Sequence, residues 1–156
     1  MKTEFFANQI VQGIKNAAEL YYKLIFVVAP ANSGKTKSLQ SVRDLINIPL
    51  LNINLELSKR MLDLTTKQRA LKISQLLRAI VNEAGTDIVL LDNIEILFDK
   101  SLEQNPLRLL QGLSRDRTIV AAWNGIIEGN YLIYAEPNHP EYNRYPADDL
   151  LVVCPE

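Results

Sequence analysis

The sequence predicts an α/β fold with a mostly parallel central sheet, and three observations carry this prediction. Residues 24–28 are a continuous apolar run, and 118–123 are apolar after an initial threonine, which is typical of strands that are buried on both faces. The segment 87–92 contains four apolar residues, 88–91, closed by an acid. Segments with helical spacing lie between these runs, as the crossovers of parallel strands require. At 156 residues, the chain is long enough to form one domain, 1–156, with its own core.

The first part of the chain alternates helices with short strands. Apolar residues three and four positions apart predict an amphipathic helix over 4–22, which packs on the sheet before the first strand. A second helix, over 35–46, follows the first strand. After the break at Pro49, the pattern predicts a short second strand over 50–54.

Two further helices are marked by their caps. A long helix is predicted from Thr66, its N-cap, to Asn82, and Gly85 lies just past its end. A later helix begins at Asn105-Pro106, with the amide as cap and proline in the first turn, and runs toward Ser114. The expected buried stripe of the long helix comprises Leu71, Leu76, Leu77, Ile80 and Val81.

The character of the chain changes after the 118–123 strand, which is predicted to end at Asn124. Residues 131–134 alternate less cleanly than a buried strand, and a proline-rich loop spans 137–146. Residues 150–153 form a predicted strand that closes the sheet. The domain therefore has three predicted parts: an N-terminal helix, 1–23; a core, 24–124; and C-terminal strands with the proline-rich loop, 125–156.

Composition restricts the classes of protein that this chain can represent. It is 47% hydrophobic and 22% charged, as in ordinary soluble domains, and no apolar run approaches the length of a membrane helix. The N-terminus lacks the pattern of a signal peptide. The single cysteine, Cys154, rules out an internal disulfide and suits a reducing cytoplasm. We expect Cys154 to be a buried small hydrophobe.

The charge balance argues against a stand-alone nucleic-acid binder, because the net charge is −1 and the sequence pI is about 5.9. The segment 59–78 is a local exception, since its basic residues face a single acid, Asp63. A solvated helix face is one interpretation of this segment, and a DNA or partner surface is the other. The basic residues are Lys59, Arg60, Lys67, Arg69, Lys72 and Arg78.

The first strand leads directly into a loop of small residues that ends in Gly34-Lys35-Thr36. This is the pattern of a phosphate-binding loop, in which backbone N–H groups and the next helix N-terminus face phosphate oxygens. Lys35 would reach the β- and γ-phosphates of ATP, and the Thr36 hydroxyl would hold Mg²⁺. A glycine-lysine turn without a ligand is the alternative. The predicted nucleotide-binding residues are Ala29, Pro30, Ala31, Asn32, Ser33, Gly34, Lys35, Thr36 and Lys37.

Ala29 departs from the pattern of this loop, because it stands where the first glycine is expected. Alanine is compatible with that position if its φ is negative, so the departure weakens the prediction little.

Asp92 supplies the second half of the predicted site. Ligands of open parallel sheets lie outside the carboxyl ends of the strands. The Asp92 carboxylate can therefore face the phosphate loop from the neighbouring strand and hold Mg²⁺ through water. The alternative is that Asp92 caps the next short helix. Asn124 ends the 118–123 strand in the same way and would lie near the γ-phosphate or the attacking water.

Several stretches resemble the core of the AAA+ and related P-loop ATPases: the first strand, APANSGKT, LLNINLE, IVLLDN and IVAAWN. This resemblance implies a three-layer P-loop NTPase core in which Asn124 senses the γ-phosphate. Most of the chain is similar, more specifically, to the BrxF family of small P-loop proteins from bacteriophage-exclusion (BREX) defence systems. That resemblance implies a bacterial or archaeal cytoplasmic protein that acts with other defence subunits. It is carried by LLNINLELSKR, VLLDNIEILFD, PLRLLQGLSRDRTIVAAWNG and YLIYAEPNHPEYNRYP.

Two departures from the AAA+ pattern bear on hydrolysis. Asn93 stands where these ATPases have a catalytic glutamate, and an amide cannot take a proton from water as a carboxylate can. Glu95 is the nearest substitute, and we expect its side chain to point differently. The chain also ends after the sheet, without room for a helical lid that supplies a second arginine sensor. A neighbouring subunit would then supply an arginine, with Arg115 and Arg117 as first candidates and Arg144 as third; plain surface charge is the alternative.

Three functional hypotheses follow. The first is a slowly hydrolysing ATPase that uses ATP and Mg²⁺ to control self-assembly or docking on larger defence subunits, with Asp92, Glu95 and Asn124 as catalytic residues. The second is a scaffold that binds ATP without turnover, as Asn93 suggests. The third is a small-molecule kinase, for which the sequence offers little sign of an acceptor pocket or of lid arginines. DNA binding through 59–78 stays open under each hypothesis.

Overall fold

The computed structural model describes residues 2–135 and 139–154, with side chains described from Phe6 onward. Its strands are β1 (Leu24–Ala29), β2 (Leu50–Asn52), β3 (Ile88–Asp92), β4 (Thr118–Glu128), β5 (Tyr131–Tyr134), β6 (Asn143–Pro146) and β7 (Leu151–Val153). Its α-helices are α1 (Lys2–Ala17), α2 (Lys35–Ile46), α3 (Ile53–Met61), α4 (Thr66–Ala84) and α5 (Pro106–Leu113). Two short 3₁₀ helices, Ile94–Phe98 and Lys100–Leu102, follow β3.

The central sheet is parallel, with the strand order β2-β3-β4-β1-β7. β1 pairs with β4 and β7, β3 pairs with β4, and β2 pairs with β3, all in parallel. The α/β class and the mostly parallel central sheet are therefore confirmed. The predicted closing strand is also present, because β7 lies at the edge of the sheet beside β1.

β4 does not end at Asn124, where the sequence predicted the strand to end. It continues to Glu128 and pairs antiparallel with β5, which in turn pairs with β6. Part of the predicted proline-rich loop is therefore a strand, while Pro137 of that loop lies outside the described residues. Pro146 fits as the last residue of β6, which pairs on one side with β5, because proline is tolerated at the ends of edge strands.

The helix starts follow the predicted caps closely. α2 has the predicted bounds, and the Asn105 side chain caps α5 by accepting the Arg108 N–H at 3.2 Å. α4 begins one position earlier than predicted, because Thr65 is the N-cap and forms a reciprocal pair of hydrogen bonds with Gln68. α1 ends at Ala17, short of the predicted end at residue 22.

Helix α3 was not predicted, because the strand expected over 50–54 stops at Asn52. The Asn52 side chain accepts the Leu55 N–H at 3.1 Å, which makes Asn52 the N-cap of α3. A cap of this kind ends the strand and starts the helix at the same residue. The buried side chains of α3 recur at four-residue spacing: Ile53, Leu57 and Met61.

Helices cover both faces of the sheet, as the alternate side chains of β1 show. Phe26 packs in a cluster with residues of α3, α4 and α5, whereas Ile25 and Val27 pack with residues of α1 and α2. None of the described helices combines the length and the apolar character that a membrane crossing requires.

Two residues that were predicted to be buried are exposed. Leu71 in α4 is 74% exposed, and Ile73 is buried in its place. The two side chains are two positions apart, so they lie about 200° apart around the helix and face opposite directions. Cys154 is also exposed, because it follows the last residue of the short edge strand β7.

Candidate functional site

The candidate site lies at the carboxyl edge of the parallel sheet. Ala29, the last residue of β1, pairs with Asn124 of β4, and Asp92 is the last residue of β3. The prediction that Asp92 lies on the strand next to β1 is wrong, because β4 separates β3 from β1. Two strand spacings place β1 and β3 about 10 Å apart. Asn124 therefore lies between the phosphate loop and Asp92.

The phosphate loop turns through two left-handed residues. Asn32 has a φ of 62° and Gly34 a φ of 93°, whereas Ala29 keeps the extended backbone of β1. Ala29 therefore meets the condition for alanine at the first loop position, which is that its φ is negative. A Cβ on Gly34 would meet nothing within 4 Å, so the requirement for glycine there is conformational. The Ser33 hydroxyl donates to the Pro30 carbonyl and closes the loop.

The N-terminus of α2 faces the loop without a side-chain cap. Its N-cap is Gly34, which has no side chain to accept a hydrogen bond. The first N–H groups of a helix have no partner within the helix, and the helix dipole places partial positive charge there. This end of α2 can therefore bind an anion, as a phosphate-binding loop requires.

Lys35 lies inside the loop, with 6% of its surface exposed. Its ammonium donates to the carbonyl of Ala29 at 2.9 Å and to that of Pro30 at 2.8 Å. Burial lowers the pKa of Lys35, and the nearby charges of Glu95 and Asp92 oppose that shift. An ammonium has three N–H donors, so one of them is left for a ligand.

Thr36 and Asp92 meet across the end of β4. The Thr36 hydroxyl donates to Asp92 Oδ2 at 2.7 Å, and the Asn93 N–H donates to Asp92 Oδ1 at 2.9 Å. This second contact ties Asp92 to the turn that follows it, but Asn93 rather than Asp92 is the N-cap of the next short helix, so the capping alternative is wrong. Mg²⁺ prefers oxygen ligands and takes few of them from protein when phosphates supply others. The hydroxyl and the carboxylate fit such an ion.

Asn93 turns the chain sharply at the end of β3. Its φ and ψ are 54° and 54°, a left-handed conformation that asparagine tolerates better than most residues. The Asn93 carbonyl also accepts the Asn54 N–H at 3.0 Å, which ties the turn to the start of α3. No local sequence pattern indicated this conformational role.

The turn at Asn93 brings Glu95 to the same cleft as Lys35, although we had expected the Glu95 side chain to point differently. Burial is the main cause that raises the pKa of Glu95; the charge of Asp92 adds to this shift, and that of Lys35 opposes it. A half-buried carboxyl group near Lys35 and Asp92 is positioned to exchange a proton with a ligand.

A cleft of about 630 Å³, here called the phosphate cleft, unites these side chains. Ala29 and Pro30 do not line it: Ala29 is buried in β1, and Pro30 lines a neighbouring cavity. Gln40 was missed by the sequence reasoning, although its position one turn after Thr36 in α2 could have indicated it. The lining residues are Ala31, Asn32, Ser33, Gly34, Lys35, Thr36, Lys37, Gln40, Asp92, Asn93, Glu95 and Asn124.

Arg115 and Arg117 lie far from the phosphate cleft of their own chain. They precede Thr118, at the amino end of β4, whereas Asn124 lies toward its carboxyl end. Arg117 donates to the Val81 carbonyl at 3.1 Å and to Asn82 Oδ1 at 2.7 Å, and Arg115 lies over the Tyr21 ring. Their catalytic role in a neighbouring copy stays a prediction.

Arg144, the third candidate arginine, is exposed on β6. Its guanidinium lies 4.1 Å from the centroid of the Tyr131 ring.

The basic segment 59–78 is partly neutralised by contacts within the chain. Arg60 forms a two-point contact with Glu83, at 3.0 and 2.7 Å. Arg69 donates to the Leu64 carbonyl, and Arg78 donates to that of Gly112. The Glu83 contact offsets the charge of Arg60, whereas the two carbonyl contacts occupy donors of Arg69 and Arg78 without removing their charge.

Comparisons with known proteins leave the family open. No protein-family model matches the sequence, and no curated protein matches it. Among solved structures, the chain is similar to PCH-2 of C. elegans, an AAA+ ATPase, with 17% sequence identity and a TM-score of 0.49. The match covers 99% of this chain and 41% of that chain. A likeness of this strength identifies neither a family nor an activity.

Proposed function

We propose that the chain is a P-loop protein with an AAA+-like, three-layer core that binds ATP and Mg²⁺ in the phosphate cleft and hydrolyses ATP slowly. The observation that carries the proposal is the 2.7 Å hydrogen bond between Thr36 Oγ1 and Asp92 Oδ2. It joins the phosphate loop to a strand that is not its neighbour in the sheet. The Asp92 carboxylate is only 7% exposed, and the Thr36 hydroxyl and the Asn93 N–H hold both of its oxygens at the edge of the phosphate cleft. A metal-binding role beside Lys35 explains why it is there.

Three sets of groups around the phosphate cleft support nucleotide binding. The N–H groups at the start of α2 would bind the β-phosphate, because no side chain caps them. The remaining N–H of the Lys35 ammonium would bind the γ-phosphate. Thr36 and Asp92 would hold Mg²⁺, which neutralises phosphate charge when it is bound. The same proposal treats residues 1–156 as one nucleotide-binding domain.

Glu95 is the proposed general base of the hydrolysis. It lines the cleft together with Asn124, whose amide would orient the attacking water. The raised pKa of Glu95 moves this carboxyl toward the range in which it can accept a proton from water. We expect slow turnover, because Glu95 reaches the cleft through an extra turn rather than directly from the strand end.

The test is phosphate release by the wild type and by the Lys35→Ala and Asp92→Ala variants. Lys15→Ala and Asp44→Ala are matched controls, because both residues are exposed and lie outside the cleft. We expect turnover to fall to background in the first pair and to be unchanged in the controls. Turnover at the wild-type level in either cleft variant would show that the site is misassigned. Circular dichroism of each variant separates a lost site from a lost fold.

A scaffold that binds ATP without turning it over is the second candidate, and Asn93 favours it. The Asn93→Glu variant distinguishes this scaffold from the slow ATPase. Glutamate in the left-handed conformation lowers the stability of the fold by about 1 kcal/mol. A large gain in turnover would mean that the native chain is limited by a missing carboxylate. No change would point to Glu95 or to a site that a partner completes.

The resemblance to the BrxF family supports a wider proposal, which is a cytoplasmic subunit of a BREX defence system that assembles with itself and with other defence subunits. Sizing chromatography with light scattering, with and without Mg²⁺-ATP, tests self-assembly. A nucleotide-dependent oligomer would support it, and a monomer under both conditions would contradict it.

DNA binding through segment 59–78 has its own test. A salt-dependent gel shift that Lys67→Glu together with Lys72→Glu weakens would support it. Binding that this pair of changes leaves intact would place the contact elsewhere.

A further inference from the structure

A second cavity, here called the hairpin cavity, opens beside the phosphate cleft. Its volume is about 840 Å³, within the range of small-molecule pockets. It lies between the start of the phosphate loop and the β4–β5 hairpin, with Pro30 on one side and Ile126 on the other. Ala31, Glu95 and Asn124 line both cavities, so the two are contiguous.

The hairpin cavity exists because β4 extends beyond the carboxyl edge of the parallel sheet. Gly125 allows the close pairing with β5, since a Cβ there would lie 1.8 Å from the Ile133 carbonyl oxygen. The Trp123 indole donates to that same carbonyl at 3.0 Å. The Tyr134 ring stacks on Phe98 with centroids 3.5 Å apart. These contacts fix the hairpin, so the wall is formed before any ligand arrives.

The lining of the hairpin cavity combines apolar side chains with carboxylates. Ile126 is 43% exposed and offers apolar surface to the cavity. Glu95, Glu128 and Glu141 supply the charge, and the described lining contains no lysine or arginine. Burial raises the pKa of Tyr134, and the charges of Glu95 and Glu141 raise it further, so both carboxylates act on the same phenol.

We propose that the hairpin cavity binds a small organic cation, with a primary ammonium or guanidinium group on a short apolar body. Carboxylates and tyrosine rings attract such a group, and the isoleucines and prolines cover its apolar part. The same lining disfavours phosphate or carboxylate ligands, because like charges repel.

The cation and the nucleotide should tighten each other's binding. A cation beside Glu95 and Asn124 would lie next to the γ-phosphate, and coupling between two sites is reciprocal. This coupling rests on the proposed function, whereas binding of the cation alone does not.

The same chemical group can come from a free amine or from a basic side chain of a polypeptide. Agmatine is the probe for the first source, and a capped Gly-Arg-Gly peptide is the probe for the second. Glutarate serves as an anionic control of similar length. Isothermal titration without nucleotide measures all three on the complete chain.

The decisive variants are Glu128→Gln and Glu141→Gln, which lie outside the phosphate cleft. Glu19→Gln is the matched control, because it removes one exposed carboxylate elsewhere. We expect agmatine to bind and each cavity variant to weaken it about two- to fivefold, while Glu19→Gln has no effect. Binding of the peptide alone, weakened by the same variants, would support the cavity and assign the cation to a polypeptide.

Three results would overturn the proposal: no binding of either probe, equal binding by the cavity variants, or tighter binding of glutarate than of agmatine. ATP titration of the wild type keeps this outcome separate from the nucleotide proposal. Agmatine binding by a wild type that binds no ATP would leave the hairpin cavity standing and overturn only the nucleotide proposal and the coupling that rests on it.

Discussion

Two turns frame the phosphate cleft, and they bring side chains into it in different ways. The loop after β1 uses Gly34, at a φ of 93°, and places Lys35 and Thr36 directly at the start of a helix. The turn after β3 uses Asn93, at a φ of 54°, and presents a carboxylate two positions later, at Glu95. In both turns a left-handed residue directly precedes a helix, and side chains one or two positions after it reach the cleft.

The largest expected effect separates the roles of the two turns. Glu95→Gln should lower phosphate release roughly 100- to 10,000-fold, because an amide cannot act as a general base. ATP affinity should stay close to that of the wild type, since in the proposed site the loop and α2, rather than Glu95, would bind the phosphates. Phosphate release and equilibrium binding of ATP, measured on the same preparation, check both halves of this prediction.

Glu103→Gln is the control for that experiment, because Glu103 is exposed and lies outside the phosphate cleft. Unchanged turnover in Glu95→Gln would remove Glu95 from the mechanism. The turn after β3 would then have a structural role alone.

A smaller effect tests the backbone of each turn. Gly34→Val and Asn93→Val should each lower the free energy of unfolding by roughly 1–2 kcal/mol, because β-branched residues are strained at positive φ. Asn93→Gly should change stability far less, since glycine adopts this conformation readily. Urea unfolding measures all three. Equal losses for Asn93→Val and Asn93→Gly would mean that side-chain contacts, rather than φ, determine the preference at this position.

The smallest effect is a pH dependence of stability caused by Glu95. Its folded pKa is raised above the unfolded value of about 4.3, so the folded state disfavours the ionised carboxyl. Glu95 therefore lowers stability progressively as pH rises from the unfolded pKa through the folded pKa, and its penalty is absent below both. Both proteins are measured in EDTA. The melting temperature of Glu95→Gln minus that of the wild type should be larger at pH 7 than at pH 4. A difference that is the same at both pH values would contradict a raised pKa.

The loop after β1 could be predicted because its chemistry is local. A buried strand, small residues and Gly34-Lys35-Thr36 follow one another in the sequence, so spacing alone positions the lysine and the hydroxyl. The caps at Asn105 and Gly85 were likewise read from neighbouring residues, and both are present in the structure.

The turn after β3 could not be predicted, because its geometry depends on contacts between distant segments. The left-handed Asn93 is held by Asn54, and the strand order places β4 between Asp92 and the phosphate loop. Neither fact is encoded within a short window of sequence. The same limit explains the missed hairpin: after Gly125, β4 continues because β5 pairs with it rather than because of its own pattern.

The most direct test of the central claim is titration of the wild type and of Lys35→Ala with ATP, in Mg²⁺ and in EDTA. If ATP binds in the phosphate cleft, we expect one binding site whose affinity for ATP falls in EDTA. We also expect that Lys35→Ala weakens binding by about 10- to 100-fold, the equivalent of one hydrogen bond from a charged group. No binding by the wild type, or equal binding by Lys35→Ala, would contradict the assignment of this cleft to a nucleotide.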